Sequence, residues 1–430
     1  MRRHFLVLIH RYAGLYLAFF LVVAGLTGSI LAFYHPLDRW LNPEHHQLPV
    51  QSRAMLDPLV LRDKAQALVP QAEINEVAFR RVPGAVYSVM FGPRTNPATQ
   101  QPFELDYNMI RLNPYTGELL ELSKEGVGYW PLTRKNLLGF IYALHYQLAL
   151  GETGQWLFGV AAVIWTLDCF VGFYLTLPAW RVRSRDIRQQ SVHVYPTAAS
   201  CSTSQRGFWQ RWAIAWKVKW RASRYRLNFD LHRAGGLWTW LMLFIFAWSS
   251  VGFNMHQSVY LPVMHGLFGM PDFQNIPRPP LPQPNTNPKL DWYTAHAIGQ
   301  RLMAMQGLQA GFTVLDEDFL VYDPTRGVFV YTVRSDLDFV DEGGITTIYF
   351  DGNTGTLVGE DLPTGRNIGV TIAYWLTSLH MAHVFGLPYR LLVCLMGLVV
   401  TLLSVTGVYL WWKKRQAALQ KTGRAANFAD

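Results

Sequence analysis

The sequence predicts a membrane protein that is mainly α-helical, with four transmembrane helices from an internal duplication and two α+β domains outside the membrane. Three observations support this fold class. Several apolar runs reach the roughly 20 residues that a helix needs to cross a bilayer. The motifs that open and close these runs occur twice along the chain. Basic residues concentrate in one loop between the runs, as is typical of membrane proteins.

The two halves of the chain repeat one order of motifs. His10 and His232 are each followed by an arginine, a glycine-containing stretch and an apolar run. His145 and His380 each follow a leucine and precede a short break and a second apolar run. The second run closes with GFYLTLPAWR in the first half and with GVYLWWKKR in the second half. Repeats of this kind indicate two copies of one structural unit.

The repeat divides the chain into segments that alternate between the membrane and the two aqueous sides. In chain order we predict transmembrane helix 1 (1–35), a first outer domain (36–136), an outer helix with transmembrane helix 2 (137–180), a basic cytoplasmic loop (181–231), transmembrane helix 3 (232–256), a second outer domain (257–370), an outer helix with transmembrane helix 4 (371–415) and a cytoplasmic tail (416–430).

The charge distribution predicts the orientation of these segments. Residues 181–233 contain twelve Lys and Arg against two acids, whereas residues 257–390 contain seven against thirteen. Residues 36–144 contain eleven of each. Because basic loops stay in the cytoplasm, both termini are expected there, in a multi-pass protein of the bacterial inner membrane. The net charge of +9 is therefore attributed to topology and contact with lipid, and a nucleic-acid partner is not expected.

Local patterns predict the elements of each segment. The first and third spans are expected at about 8–34 and 235–253. Gly14, Gly25 and Gly28 offer close helix contacts or room for a flat cofactor. Each outer domain is expected to combine a helix with an antiparallel hairpin. The expected elements are a helix at 58–69, strands at 76–79 and 86–91 and a turn at 113–117, then a helix at 292–306, strands at 319–322 and 328–333 and a turn at 351–355.

Four tryptophans recur at helical spacing among basic residues in the cytoplasmic loop. They are Trp209, Trp212, Trp216 and Trp220. This pattern predicts a helix that either lies in the inner-leaflet interface or packs on the underside of the helix bundle.

The four repeated histidines are the candidate cofactor ligands. With four spans, His10 and His232 share a depth at the cytoplasmic side, and His145 and His380 share a depth at the outer side. Bis-histidine ligation of haem iron needs two imidazoles that face each other, usually from two helices. The duplication supplies this arrangement twice, so we predict two haems per chain, about 20–30 Å apart by helix rise.

Other polar residues near these motifs are candidates for supporting roles. Arg11 and Arg233 each follow a candidate ligand and are expected to pair with haem propionates or to anchor the spans at the cytoplasmic face. Asp168 lies inside a span and is expected to relay a proton or to hydrogen-bond to a ligand or a neighbouring helix. His383 is a further possible site residue. Zinc is the rival metal, because the outer side is rich in histidine, but zinc needs three or four ligands.

The sequence lacks the motifs of other redox cofactors. It contains no GxGxxG after a strand, no P-loop, no CxxCH and no cysteine cluster. Electrons are therefore expected from a quinol, a separate flavin carrier or a partner protein. No catalytic acid or base is predicted.

Taken together, these motifs resemble the PepSY-associated transmembrane family over nearly the whole chain. The resemblance rests on the His-Arg motif at residue 10, Leu-His at residue 144, WTLDCFVGFYLTLP, YRLNFDLHRAGGLW and GLVVTLLSVTGVYLWW. It implies that the outer domains are PepSY modules. Some members are similar to inner-membrane ferric-siderophore reductases with two b-type haems, which implies an oxidoreductase that reduces a periplasmic ferric siderophore or ferric chelate. Two alternatives stay open: a non-enzymatic PepSY protein that binds or regulates a periplasmic partner, and a quinone-linked electron carrier for another acceptor.

Overall fold

The computed structural model describes residues 2–126, 129–178, 207–272 and 276–426. Much of the predicted cytoplasmic loop and Cys201 lie outside the described residues. The helices are α1 (Arg2–Leu31), α2 (Tyr34–Leu41), α3 (Pro43–His46), α4 (Pro58–Leu68), α5 (Leu137–Gln147), α6 (Glu152–Thr176), α7 (Phe208–Trp212), α8 (Arg224–Trp238), α9 (Trp240–Asn254), α10 (Leu261–Phe268), α11 (Trp292–Ala310), α12 (Ile368–His380) and α13 (Gly386–Ala426), with a π-helical turn at His256–Tyr260.

The strands are short in the first half of the chain and longer in the second half. They are β1 (Ala72–Glu73), β2 (Glu76–Ala78), β3 (Tyr87–Met90), β4 (Gly92–Pro93), β5 (Met109–Leu112), β6 (Leu119–Ser123), β7 (Val314–Asp323), β8 (Val328–Ser335), β9 (Thr346–Asp351) and β10 (Leu357–Asp361).

Within the described residues, three helices are long and apolar enough to cross a membrane. They cover Arg3–Leu31, Glu152–Thr176 and Gly386–Gln420, and a fourth span is formed if α8 and α9 count as one. These helices agree with a multi-pass membrane protein. The predicted first, second and fourth spans therefore correspond to α1, α6 and α13.

The third span is not the continuous helix that the apolar run predicted. Helix α8 ends at Trp238, α9 begins at Trp240, and the two axes differ by 69°. The hydroxyl of Thr239 donates to the carbonyl oxygen of Gly235 at 2.8 Å, and the backbone N–H of Thr239 also bonds there. A threonine hydroxyl that bonds to a carbonyl of the preceding turn competes with the regular backbone hydrogen bonds of the helix. The neighbouring glycines, Gly235 and Gly236, also make the helix easier to bend.

The long tryptophan helix predicted for the cytoplasmic loop is also wrong within the described residues. Helix α7 ends at Trp212, and turns follow it. The guanidinium of Arg233 donates to the carbonyl oxygen of Ile214 at 2.9 Å and to that of Lys217 at 3.4 Å. The turns are thus tied to α8 by side-chain hydrogen bonds to their backbone carbonyl oxygens.

The chain divides into two compact units. We call the first the helical unit; it comprises Met1–Leu26, Leu157–Trp248 and Leu395–Asp430. We call the second the mixed unit; it comprises Thr27–Trp156 and Ser249–Cys394 and contains all the described strands.

The mixed unit holds two main sheets, each with one helix on its apolar face. The three-stranded sheet has the order β3-β5-β6 and shares a core with α4, including Leu61, Ile110 and Leu112. The five-stranded sheet has the order β10-β9-β8-β7-β2 and shares a core with α11, including Met303 and Phe350. Burial of these apolar side chains is the main stabilising contribution to both layers.

One strand joins the sheet formed by the other half of the chain. Strand β2 was expected within the first outer domain, but Val77 pairs antiparallel with Leu320 of β7. Without this partner, β7 would be an edge strand with a row of unpaired backbone groups. The two outer segments therefore share one sheet.

The two predicted turns have the same construction. Asn113 and Asp351 each accept backbone N–H bonds through the side-chain Oδ1. Gly117 and Gly355 close the turns with φ of +74° and +71°, which is a conformation that favours glycine. The hairpins predicted at 113–117 and 351–355 are confirmed as turns between β5 and β6 and between β9 and β10.

Candidate functional site

The first histidine pair, His10 and His232, comes together in the helical unit. Each histidine lies in the third turn of its helix, α1 or α8, so the repeated motif places both rings at the same helical position. The ring centroids lie 6.1 Å apart, with an angle of 57° between the ring planes.

Each Nδ1 atom of the first pair lies within hydrogen-bond distance of a carboxylate or carbonyl oxygen, which can only accept a hydrogen bond. Nδ1 of His10 lies 2.9 Å and 3.0 Å from the two carboxylate oxygens of Asp168. Nδ1 of His232 donates to the carbonyl oxygen of Leu403 at 3.0 Å, and the Thr406 hydroxyl lies at 3.2 Å. Both rings therefore carry their proton on Nδ1 when neutral, which leaves the lone pair of Nε2 as the metal-binding atom.

A cavity of about 430 Å³ surrounds the first pair. Aromatic side chains line it, among them Trp165, Phe173 and Trp240. Gly14 also lines it, and nothing lies within 4 Å of the position that a Cβ on Gly14 would occupy. Gly14 thus provides the open space predicted for a flat cofactor, whereas Gly25 packs tightly against Gly397 and Thr401.

Four basic side chains line the same cavity. Arg3 donates to the carbonyl oxygens of Leu175 and Leu177, at the end of α6. Arg233 donates to Asp230, a fully buried carboxylate, at 2.8 Å. Arg11 and Lys414 complete the set, and among the described residues neither forms an ion pair. Arg233 is therefore committed to the protein, while Arg11 and Lys414 are the cations placed to meet an acidic group in the cavity.

The second histidine pair, His145 and His380, comes together in the mixed unit. His145 lies on α5 and His380 is the last residue of α12. The ring centroids are 6.2 Å apart. Nδ1 of His145 lies 3.0 Å from the hydroxyl oxygen of Thr27, and Nδ1 of His380 lies 2.7 Å from that of Ser249. A hydroxyl can donate or accept, so these bonds orient both rings without fixing which nitrogen carries the proton.

Glycines stand against three of the four imidazoles. A Cβ built on Gly172 would lie 3.3 Å from Cε1 of His10, and one on Gly407 would lie 3.2 Å from Cε1 of His232. The repeated GFYL and GVYL motifs supply these two glycines, so the internal repeat extends to the space that each ring needs. A Cβ on Gly28 would lie 2.9 Å from Cε1 of His145.

The geometry of both pairs suits one metal ion between two imidazoles. With a metal–nitrogen bond of about 2.0–2.1 Å, two rings on opposite sides of an ion have centroids about 6 Å apart. The observed separations of 6.1 Å and 6.2 Å match this value. No group of three or more His, Cys, Asp or Glu side chains with metal-binding geometry occurs in the described parts of the chain, so a structural zinc site is not supported there.

His383 is not a member of the second histidine pair. It lies in the turn between α12 and α13, where its carbonyl oxygen accepts a bond from the N–H of Asp341 at 2.7 Å. Burial lowers the pKa of the His383 side chain, and the nearby His35 and Arg390 lower it further. Its backbone bonds give His383 a role in the turn.

The comparison with known protein families identifies the chain. Residues 7–414 match the family described as the PepSY-associated TM region. The chain belongs to the PepSY-associated transmembrane family. No curated protein matched the chain in a parallel comparison. The match contains both histidine pairs, and the resemblance inferred from the motifs is confirmed at the level of the family.

Several residues around the two pairs of this family member escaped the sequence analysis. Thr27, Ser249 and Thr406 are buried hydroxyls that contact ligand candidates. A polar side chain within an apolar run was the available signal, and it was used only for Asp168. Lys414 belongs to the basic end of GVYLWWKKR, and nothing in the neighbouring sequence indicates that it lines a cavity.

Proposed function

We propose that this chain is a di-haem b reductase of the bacterial inner membrane that passes electrons to a ferric siderophore or another ferric chelate on the periplasmic side. The observation that carries the proposal is the presence of two histidine pairs with centroid separations of 6.1 Å and 6.2 Å, each with both Nδ1 atoms hydrogen-bonded.

In this proposal His10 and His232 hold one haem, and His145 and His380 hold the other. Haem iron, when bound, supplies reversible one-electron oxidation and reduction. The carboxylate of Asp168 and the carbonyl of Leu403 keep the first pair in the tautomer that presents Nε2. Arg11 and Lys414 line the same cavity and are suited to pair with propionates.

Electron transfer of this kind needs no catalytic acid or base. The electron donor is a quinol, a reduced flavin carrier or a partner protein. Oxidation of a quinol or reduced flavin would release two electrons and its protons at the cytoplasmic side. Two ferric chelates each accept one electron and become ferrous. Hard oxygen donors hold the smaller, more highly charged ferric ion better than the ferrous ion, so reduction releases the iron. The basic loop, by the positive-inside rule, supports a donor side that faces the cytoplasm.

Stopped-flow oxidation tests the proposed activity. Anaerobic, detergent-purified protein is reduced with a stoichiometric amount of dithionite and mixed with ferric desferrioxamine B or ferric citrate in the presence of ferrozine. We expect re-oxidation of the haem bands with one ferrous–ferrozine complex per electron, and at least ten-fold slower oxidation in His380→Ala.

His383→Ala serves as the matched control, because His383 lies three residues further along and outside the ring pair. It should re-oxidise at the wild-type rate. Reduced wild-type protein that neither chelate oxidises would contradict the reductase proposal, and would favour an electron carrier for another acceptor. Protein that carries no haem would favour a non-enzymatic role.

A further inference from the structure

The four ligand candidates differ in the charge of the group that holds their Nδ1 atom. His232 bonds to a backbone carbonyl, and His145 and His380 bond to hydroxyls. Only His10, within the described residues, bonds to a carboxylate, and both oxygens of Asp168 lie within 3.0 Å of its Nδ1. The first pair therefore has a carboxylate group next to one ring, whereas the hydrogen bonds described at the second pair go to hydroxyl groups.

Asp168 occupies a place where a carboxylate is costly. It lies within the apolar helix α6 and is 9% exposed. A carboxylate inside a span is expensive unless it is paired, and such residues are retained for function. Among the described residues its hydrogen bonds go to His10, so its charge acts on that ring.

A carboxylate that accepts the Nδ1–H of a ligand imidazole makes Nε2 a stronger donor. A stronger donor favours the ferric over the ferrous ion, because the more highly charged ion gains more from negative charge nearby. Axial-ligand electronics and hydrogen bonding of this kind are among the means by which a protein tunes a haem potential. Neutral hydroxyl partners have a much smaller effect of the same type.

We propose that Asp168 is a positioning residue that sets the reduction potential of the first histidine pair below that of the second pair. The inference rests on the proposed haem binding and adds the direction of electron transfer between the two pairs. Transfer of electrons from the first pair to the second pair is then thermodynamically favoured over the reverse.

A redox titration of Asp168→Asn tests this inference. Asparagine keeps a hydrogen-bond acceptor for Nδ1 and removes the charge. Detergent-purified protein is titrated between ferricyanide and dithionite with mediators while the haem bands are recorded. Each transition is a one-electron change of iron between the ferric and ferrous states. In wild type we expect two transitions, and in Asp168→Asn we expect the lower one to shift upward while the higher one stays.

Four further variants support the assignment of the transitions. In His380→Ala, only the first site remains, and its transition should be the lower one. Thr27→Val is the matched control at the second pair and should leave the lower transition in place. If Asp168→Asn fails to retain its haem, Asp168→Ser copies the hydroxyl partners of the second pair and should show the same upward shift, whereas Asp168→Glu keeps the charge and should stay near wild type.

The outcomes separate the inference from the proposed function. Wild-type protein without haem contradicts the proposed function. Two haems with a lower transition that does not move in Asp168→Asn or Asp168→Ser overturn the inference and leave the proposed function intact. A shift of the higher transition alone overturns it as well.

Discussion

The two histidine pairs have nearly the same ring separation but different supports. In the first pair, the carboxylate of Asp168 and the carbonyl oxygen of Leu403 accept hydrogen bonds from the histidine Nδ1 atoms. The pair lies in a cavity lined by basic and aromatic side chains. In the second pair, the Nδ1 atoms contact the hydroxyl groups of Thr27 and Ser249, which can donate or accept a hydrogen bond. The two pairs thus share repeated sequence motifs but differ in the groups that hold their Nδ1 atoms, and those groups lie outside the repeated motifs.

The largest expected effect is that of removing one candidate ligand histidine from either pair. We expect His232→Ala and His145→Ala each to lose one of two haems per chain, because a single axial imidazole and a hydrophobic cavity hold b-type haem far less tightly than two imidazoles. The pyridine haemochrome assay on purified protein measures the ratio. Loss of both haems from either variant, in protein that remains monodisperse, would show that the pairs are not independent sites.

The glycine contacts predict the next largest effect. Gly28→Ala places a methyl group 2.9 Å from Cε1 of His145, where something must move, and overpacking of this kind costs about 1–3 kcal/mol. Haem occupancy of the second pair should fall below half while the first pair stays filled. Gly139→Ala, on the helix that carries His145 and with nothing within 4 Å, is the matched control and should retain both. Equal occupancy in the two variants would contradict the packing argument.

The hydroxyl anchors predict a smaller effect at the second pair. Thr27→Val removes the partner of His145 Nδ1 while keeping the side-chain shape, and loss of an outer partner typically weakens metal affinity about 10- to 100-fold. Haem transfer to apomyoglobin measures the rate of loss from each variant. We expect faster loss from the second pair only; unchanged loss would mean that Thr27 does not orient the ring.

The smallest predicted effect concerns the helix that carries His380. The Tyr374 hydroxyl of α12 donates to Asp361 of β10 at 2.5 Å. Burial raises the pKa of Asp361 to about 6 from 3.8, although the bond from Tyr374 opposes the rise. A raised carboxyl pKa means that folding loses stability as pH rises from about 4 to 6, with the full cost above pH 6.

Asp361→Asn should therefore stabilise the protein at pH 8 by about 1–2 kcal/mol and give no gain near pH 4. Thermal unfolding of the full chain in detergent, followed by circular dichroism at both pH values, checks this sign. Asp106→Asn changes an exposed carboxyl and is the control. A gain that is equal at both pH values would show that the charge of Asp361 is not the cause.

The sequence could predict features that are repeated along the chain and features formed by residues close together in it. The duplicated motifs brought out His10, His232, His145 and His380, and turn chemistry predicted the hairpin that Gly117 closes. Apolar length predicted α1, α6 and α13, because a span requires only a continuous apolar run.

The sequence could not predict features that depend on a hydrogen bond or strand pairing that no sequence pattern specifies. The break at Thr239 depends on a hydroxyl bonding back to Gly235, and periodicity does not distinguish that bond from an ordinary helical threonine. The pairing of Val77 with Leu320 joins strands far apart in the chain. The anchoring of His380 by Ser249 likewise joins residues whose separation hides their contact.

The haem content of the wild-type protein tests the central claim most directly. Full-length chain is produced with ample haem supply, purified in detergent, and assayed by oxidised and dithionite-reduced spectra with haem counted per chain as the pyridine haemochrome. The account predicts two b-type haems per chain. Colourless, well-folded protein would contradict it, because both histidine pairs would then be structural contacts.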